Sequence, residues 1–506
     1  MGTFRTYDGT ELAYETTGEG EPLICLPGGP MRAAAYLRDL GGLGAHRRLV
    51  LLHLRGTGDS AVPADPAGYR RDRQADDVEA LREHLGLGRV DLLAHSAGAA
   101  LALYYATRHP RRVRSLTLVT PDTSAVGITA TPEDRREAAL LRSGEPWFEA
   151  GIAALDELRS GHESPEIWDA VRPFTYGRWD EAARAHAAAR EGQFAFEAIE
   201  HFYAAGAAGP ASVRAALAGV QAPVLVLAGE LDGGPRPAHA AELAALFPHG
   251  RCVVQAGAAH FPWLDDPGAF TRAVAAFLDP DVHSAQAGGI RLAYRVWGDE
   301  DAPPVVLVHG RCGNSSHWSR VAGRLAATRR VYAVDLRGHG LSEWPGSYGL
   351  AAFRDDLAAF VTALGLGPVD LVGHSMGGAA ALLLAEEQPE LVRRLVVEET
   401  PPLQPLDPPR PPAVRPDEPL DFDWPLVPAT DAELNEPDPA WWDRLESIKA
   451  PTLVIAGGPA SSIPQDRLAA LAARIPGARL VTVEAGHLVH ETRPAEFLAA
   501  LEDFGI

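Results

Sequence analysis

The chain has 506 residues, with 67 acidic side chains against 46 basic ones and a formal net charge of −21. That length exceeds one ordinary domain, and a surface so negative excludes duplex nucleic acid and anionic membranes as expected partners. Apolar residues at 46% and charged residues at 22% are globular proportions, which exclude general disorder.

Cys25, Cys252 and Cys312 are too few and too scattered for a disulfide framework or a thiolate metal cluster, and are expected as buried thiols. The N-terminal stretch Met1-Gly-Thr-Phe-Arg-Thr-Tyr-Asp-Gly-Thr10 has no apolar core of signal-peptide length. No uninterrupted apolar run is long enough to span a membrane, so the expectation is a cytoplasmic chain without a transmembrane helix.

In chain order, short apolar runs alternate with helical patterns. The runs are Leu23–Leu26, Arg48–Leu54, Val90–Ala94, Leu116–Val119, Val224–Ala228 and Cys252–Gln255, with amphipathic stretches Tyr69–Leu85 and Ala97–Arg108 between them. The same order returns as Val305–Val308, Val331–Asp335, Val369–Gly373, Leu395–Val397, Thr452–Ala456 and Leu480–Val483. Alternation of this kind predicts an α/β fold with two mostly parallel, doubly wound sheets.

Phrases repeat as well. Gly9-Thr-Glu-Leu-Ala-Tyr14 returns as Gly289-Ile-Arg-Leu-Ala-Tyr294, and Arg55-Gly-Thr-Gly-Asp-Ser60 as Arg337-Gly-His-Gly-Leu-Ser342. Leu92-Leu-Ala-His-Ser-Ala-Gly98 returns as Leu371-Val-Gly-His-Ser-Met-Gly377. These offsets of 280, 282 and 279 residues mark a tandem duplication of whole domains. The expected boundaries are 1–280 and 281–506, with a linker near Asp279–Ser284. The first half carries a helix-friendly, aromatic-rich insert at about 124–218, expected as a cap. The matching insert, about 401–446, is half as long and holds 13 prolines, so it is expected as an irregular lid or a solvated loop.

Ala94-His-Ser-Ala-Gly98 and Gly373-His-Ser-Met-Gly377 each follow an apolar strand and precede a helical run. Small residues two before and two after a serine permit a sharp strand-to-helix turn that exposes its hydroxyl. Ser96 and Ser375 are therefore candidate nucleophiles. On these elbows, on His309-Gly310 after a strand, on Asp335-Leu-Arg-Gly-His-Gly-Leu-Ser342 and on Ala485-Gly-His487, both halves resemble the α/β-hydrolase family. The first half departs in detail, with Pro27-Gly-Gly-Pro30 for the usual His-Gly-Gly-Pro and His53 for the aspartate before Leu-Arg-Gly. Its Gly-Gly-Pro and Arg-Gly-Thr-Gly-x-Ser phrases and long insert are similar to prolyl iminopeptidases, although Ala97 stands where that subfamily has tryptophan.

A serine hydroxyl needs a histidine to accept its proton and a carboxylate to orient that histidine. His260 and His487 follow the last strand of each half in equivalent glycine-rich loops; His490 and His317 read as structural or pocket-lining. The resemblance places the first acid at Asp232, with Asp122 as the alternative. At the aligned second position stands Ala460. Val396-Val-Glu-Glu-Thr-Pro401 instead puts two carboxylates at the end of the preceding strand, the source some members of the family use, and Glu399 matches that position better than Glu398. The resemblance also implies oxyanion-hole N–H groups at Gly29 and Ala97 and at Arg311 and Met376. No phosphate-binding, dinucleotide or metal motif occurs, so no metal or cofactor is expected. The expectation is a two-domain serine hydrolase acting on esters, lactones, thioesters or amides of small molecules. The alternatives are a non-catalytic half that binds or docks, or lyase or acyltransferase chemistry on the same scaffold.

Overall fold

The structure, a computed structural model, describes residues 1–204, 208–401, 403–416 and 420–506. Residues 205–207 of the first insert and 402 and 417–419 of the second lie outside the described residues. The chain divides into two compact units, Met1–Leu278 and Asp279–Ile506.

The strands of the first unit are β1 (Gly2–Arg5), β2 (Glu11–Thr17), β3 (Pro22–Leu26), β4 (Arg48–Leu52), β5 (Val90–His95), β6 (Val113–Val119), β7 (Val224–Gly229) and β8 (Gly250–Gln255). They form one sheet in the order β1-β2-β4-β3-β5-β6-β7-β8. The second unit repeats that order with β9 (Val282–Ala287), β10 (Ile290–Trp297), β11 (Pro304–Val308), β12 (Arg330–Val334), β13 (Val369–His374), β14 (Val392–Glu398), β15 (Thr452–Ala456) and β16 (Arg479–Thr482). The apolar runs all fall on parallel strands. The hairpins β1–β2 and β9–β10 are antiparallel and close one edge of each sheet. Their apolar stretches, as in Glu-Leu-Ala-Tyr-Glu where only Leu12 and Ala13 are buried, are too short to stand out as an apolar run. For the same reason the stretch expected as a linker is in part a strand: Val282 opens β9, which pairs with β10 from Val282↔Arg295 onward.

Parallel strands buried on both faces need apolar residues at successive positions. In the second unit the two faces separate cleanly. Val305 and Leu307 pack with Val321, Phe497 and Leu501 beneath one face. Val306 and Val308 pack with Phe353, Leu357 and Leu383 beneath the other.

Between β6 and β7 the described residues form six α-helices, from Pro132–Leu140 to Pro210–Leu217. Proline at the first turn, or a Thr131, Ser164 or Asp180 side chain accepting a backbone N–H, starts most of them. Among the described residues the proline-rich insert of the second unit holds two α-helices, Leu426–Asn435 and Pro439–Arg444. It is tied to the Arg337-Gly-His-Gly turn by Tyr348 Oη to Asp423 at 2.6 Å and by the Gly340 N–H to the Asp421 carbonyl at 2.8 Å.

The repeated Arg-Gly phrase is a structural staple. Buried Arg55 donates twice to Asp77 at 2.7 Å, and Arg337 donates twice to Asp356 at 2.5 and 2.6 Å. The departures at position 53 and among the cysteines also find physical accounts. Asp335 accepts the Ser315 and Leu341 N–H groups; His53 instead accepts the Ala34 N–H through Nδ1 at 3.3 Å and meets Glu15 through Nε2 at 3.0 Å. Of the cysteines expected to be buried, only Cys25 is: Cys252 is half-buried and Cys312 is exposed in the loop after β11.

Close packing where β13 meets the helix Ser375–Glu387 yields a test. A Cβ at Gly378 would lie 1.9 Å from Thr400 Oγ1, whereas the first unit carries Ala99 opposite Pro121 at the corresponding places. Gly378→Ala should destabilise the second unit by about 1–3 kcal/mol, the usual overpacking cost, and adding Thr400→Ala should recover most of it. Urea unfolding of the two variants checks this.

Candidate active sites

In both sheets the chain reverses direction of winding at β3 and β11, which lie beside β5 and β13. Ligand crevices of open α/β sheets form at such a point, outside the carboxyl ends of the strands. Ser96 and Ser375 sit there, each just past its strand, with φ of 53° and 52°. Positive φ in a non-glycine residue is strained, and tight packing enforces it. A Cβ on Gly98 would lie 2.5 Å from the Pro27 carbonyl, and one on Gly377 2.4 Å from the His309 carbonyl. Glycine two after each serine is thus required by close approach. Ala94, two before Ser96, is fully buried, and the elbow forms with it.

The structure brings three predicted residues of the first unit together. Ser96 Oγ lies 2.9 Å from His260 Nε2, and His260 Nδ1 lies 2.8 Å from Asp232 Oδ2. Asp232 is buried and also accepts the Gly234 N–H at 2.9 Å. Asp122 does not reach the imidazole; it accepts from the Ser124 N–H and Tyr203 Oη. Burial alone would lower the His260 pKa, but the Asp232 charge and hydrogen bond outweigh it, and the imidazole is raised above its usual 6.5.

In the second unit Ser375 Oγ lies 3.1 Å from His487 Nε2, and His487 Nδ1 lies 3.2 Å from Glu399 Oε2. Glu399 is fully buried, at a φ of 48°, and accepts from the Gly457 N–H, Ser461 Oγ and Gln465 Nε2 as well. Burial works to raise this carboxyl, but the His487 and Ser461 bonds prevail and hold it below its ordinary value, so it stays ionised. Asp466 is exposed on the helix Gln465–Arg474.

The register of the sheets relates the positions of the two carboxylates. Val224 and Thr452 pair with equivalent residues, Leu116 and Leu395, which makes Asp232 and Ala460 counterparts. Likewise His95↔Val119 and His374↔Glu398 make Thr120 and Glu399 counterparts. One unit has Thr and Asp at these two positions, the other Glu and Ala. Each has one carboxylate at its histidine.

Glu398 points away from Ser375, as strand alternation requires. It accepts the His490 backbone N–H at 2.9 Å and Nδ1 at 2.8 Å, and the His490 ring stacks on Trp318 at 4.0 Å. His374, Glu398 and His490 each offer a donor atom within 4.8 Å of the others, all buried. Within this group Glu398 and His490 are hydrogen-bonded directly to each other. His317 lies 3.3 Å from Glu491 and reaches neither serine.

The histidine preceding each serine has a role that its place in the motif does not announce. His95 Nε2 lies 2.9 Å from the His260 carbonyl, and His374 Nε2 2.9 Å from the His487 carbonyl. A carbonyl only accepts, so Nε2 carries the proton in both. Burial pushes His374 down to about 4 and His95 well below its usual range, keeping both neutral. In the first unit His95 Nδ1 then accepts from Tyr36 Oη at 2.6 Å, and that oxygen accepts the Gly28 N–H at 2.7 Å. The signal was the His-Ser pair itself, present in both repeats.

A Cβ on Gly28 would lie 2.7 Å from Ser96 Cβ and 3.2 Å from the Ala97 nitrogen; one on Gly310 would lie 2.5 Å from His374 Nδ1 and 3.1 Å from Ser375 Cβ. The loops carrying Gly29 and Arg311 thus pack directly on the serines. Ala97 and Met376 stand at helix N-termini, where the first N–H groups have no intrahelical acceptor. The Arg311 side chain itself turns to Asp431 of the second insert, at 2.6 Å. In the first unit a cavity of about 1040 Å³ opens on Ser96 and His260 under cap residues that include Trp168, Tyr176, Phe194 and Phe196.

The family described as alpha/beta hydrolase fold matches residues 21–267 and 303–430, more than half of the chain. The chain belongs to the α/β-hydrolase fold family. It is similar to the mouse sn-1-specific diacylglycerol lipase ABHD11, 29% identical over 252 residues, which cover 41% of this chain and 82% of that protein. An uncharacterised protein of Mycobacterium tuberculosis is 36% identical over 119 residues, 23% of this chain and 34% of its own length. The chain therefore matches about a third of the length of these mycobacterial relatives. Among solved structures, a hydrolase from Pseudomonas aeruginosa is 27% identical with a TM-score of 0.40, over 45% of this chain and 99% of its own. An enol-lactonase from Burkholderia xenovorans is 22% identical with a TM-score of 0.39, over 44% and 99%.

The relocated acid is testable. In a Ser96→Ala background, Glu399→Gln should lower ester turnover by about 10⁴-fold, the loss expected when the imidazole takes the wrong tautomer. Restoring the ordinary acid with Ala460→Asp in that variant should recover part of the rate. Turnover unchanged in Glu399→Gln would show that another group holds His487.

Proposed function

We propose that the protein is a serine hydrolase with two catalytic units, each cleaving ester, lactone, thioester or amide bonds of small molecules through an acyl-enzyme. The observation that carries this reading is that two Ser–His–carboxylate relays assemble from different acid positions. Ser96 or Ser375 attacks the carbonyl carbon as His260 or His487 takes the hydroxyl proton at Nε2. Asp232 or Glu399 stabilises the imidazolium through Nδ1. The N–H groups of Gly29 and Ala97, and of Arg311 and Met376, are assigned to the developing oxyanion. The imidazolium returns its proton to the leaving group. Water then attacks the acyl-serine with the same histidine as base, releasing the acid and restoring the serine.

An intact relay in each unit supports turnover by both, with no cofactor or metal in the chemistry assigned to these residues. The alternative of a non-catalytic half that binds or docks is not what either geometry favours. No helix among the described residues is long and apolar enough to cross a membrane.

Fluorophosphonate labelling with peptide mapping should modify both Ser96 and Ser375. Ser96→Ala with Ser375→Ala should abolish hydrolysis of a short-chain aryl ester, a drop of about 10⁶-fold in turnover; each single variant should retain the other unit's share. A double variant that keeps most of the rate overturns the proposal.

The pH dependence follows from His260. The base must be neutral, and its pKa is raised above 6.5, so turnover by the Ser375→Ala chain should be lost as pH falls and rise through a midpoint above 6.5. Asp232→Asn removes the group that raises it, so the residual activity should titrate at lower pH. A steady-state pH–rate profile of kcat/KM reads both.

A further inference from the structure

The cavity over Ser96 has a charge that the triad does not use. Arg32, Arg172 and Arg190 all line it, together with the aromatic faces of Tyr36, Phe194 and Phe196. Arg32 follows the Gly29 oxyanion position by three residues and is only 5% exposed. Its backbone is fixed on both sides: the Arg32 N–H donates to the Gly28 carbonyl at 3.2 Å, and the Ala33 N–H to the Gln193 carbonyl of the cap at 2.8 Å. Its guanidinium lies 4.2 Å over the Tyr36 ring, the ring whose hydroxyl meets His95 beside Ser96. Nε donates to Gln193 Oε1 at 2.8 Å, a neutral acceptor. Nη2 is buried with no hydrogen-bond partner among the described residues.

A buried guanidinium without a counter-charge is costly. Here the cost is compounded. Burial, with the like charges of Arg190 and Arg172, lowers the Arg32 pKa, and burial with Arg172 lowers that of Arg190. Among the described residues neither Arg32 nor Arg190 has a carboxylate within ion-pair distance; Arg190 lies instead 5.2 Å over Phe194. The two acidic residues of the lining, Glu163 and Asp169, are exposed, and Asp169 already holds Arg172. The charge lining the catalytic end of the cavity is therefore positive, and Arg32, with one donor unsatisfied, is part of that lining.

We infer that the Ser96 site is built for substrates that carry a carboxylate near the scissile acyl group, with Arg32 and Arg190 as its recognition pair and the aromatic walls holding the apolar remainder. This rests on the serine-hydrolase reading of Ser96. One unpartnered guanidinium nitrogen and a second cation beside it suit a planar monoanion accepting two or three hydrogen bonds. A cationic substrate terminus, such as an aminopeptidase must hold, would face three guanidinium groups.

The test uses the full chain with Ser375→Ala, so that only the first unit turns over. Substrates are 4-nitrophenyl hydrogen glutarate and its uncharged methyl ester, matched in all but charge. The acid should be preferred at least tenfold in kcat/KM at low ionic strength, and the preference should shrink with added salt. Arg32→Gln should reduce that ratio at least tenfold, through the KM of the acid, and Arg32→Lys should restore part of it. Arg190→Gln, in the less buried turn after the helix Glu181–Ala188, should lower the ratio as well and serves if Arg32→Gln does not fold. Equal use of the two esters, with turnover still dependent on Ser96, overturns the carboxylate inference and leaves the hydrolase reading standing. Calorimetric titration of the Ser96→Ala, Ser375→Ala chain separates the remaining cases. Glutarate binding that is lost with Arg32→Gln supports the inference even if Ser96 proves unreactive, in which case the hydrolase reading alone fails. Inorganic phosphate binding as tightly as glutarate, or no binding of glutarate, overturns it.

Discussion

A triad histidine needs more than an acid on one nitrogen: its backbone must be held so that the other nitrogen cannot drift from the serine. In both units this constraint is met by the residue before the elbow serine. His95 and His374 end the strands β5 and β13, and each donates from Nε2 to the carbonyl of the histidine that meets the serine, His260 or His487. Because the elbow packs the serine against the same strand end, nucleophile and base are referenced to one rigid element. Burial keeps the elbow imidazoles neutral, which preserves the one tautomer able to make this bond. A displacement of about 1 Å here would cost far more turnover than any single surface contact.

That fixed histidine explains how the acid could move. A carboxylate is asked only to meet Nδ1 from some direction with its remaining lone pairs satisfied. Asp232 does so from the loop after β7, and Glu399 from the end of β14, one methylene longer and one strand nearer the serine. Glutamate at 399 is viable because Gly457, Ser461 and Gln465 supply further donors to a fully buried group. In the first unit the counterpart of Glu399, Thr120, uses its hydroxyl on the His260 carbonyl at 3.0 Å, adding to the His95 bond. The first unit thus uses one of the two positions for its carboxylate and the other for support, whereas the second has Ala460 at the other and draws support from Ser461 and Gln465 instead.

Much of this was legible in the sequence because it rests on repeated patterns. Apolar runs mark parallel strands buried on both faces, and the elbows are marked by glycines that close packing demands. The edge hairpins were less visible, since Thr-Phe-Arg or Glu-Leu-Ala-Tyr alternates over too few residues to separate strand from loop. Two residues, Glu398 and Glu399, illustrate the limit. Both carboxylates were visible, yet which one faces the histidine depends on strand pleat and on donors brought from residues 457–465. The support of the elbow histidines was hidden for another reason: a bond to a backbone carbonyl leaves no partner residue type to look for. Arg32 was equally silent, because one arginine among 46 basic residues carries no mark until its burial and missing partner are seen.

Behind the elbows the units diverge in a way that single substitutions cannot interchange. Where the first has Val119 and Trp263, the second has Glu398 and His490, each buried and facing the other. Removing one member of such a pair strands a buried charge or polar group, at about 3–5 kcal/mol, so the pair is retained or lost together. The neighbours have adjusted to match. Tyr36, which secures Gly28 and His95 in the first unit, is replaced by Trp318, whose ring stacks on His490 and whose indole has no hydrogen-bond partner among the described residues. The oxyanion loop of the second unit is held instead by His309, which donates from Nδ1 to the Gly310 carbonyl at 2.7 Å and accepts the Leu336 N–H at 3.0 Å. The first unit has Pro27 there, which has no side chain able to do either. The same loop position is therefore secured by a tyrosine hydroxyl in one unit and by an imidazole in the other. The groups behind the nucleophile are neutral and aromatic in the first and a buried acid–imidazole pair in the second. The front of the first site is a cationic aromatic cavity, whereas Arg311 at the front of the second is neutralised by Asp431. The two units share the Ser–His–carboxylate geometry and differ in the electrostatics around it, so the two serines face different charge environments on one chain.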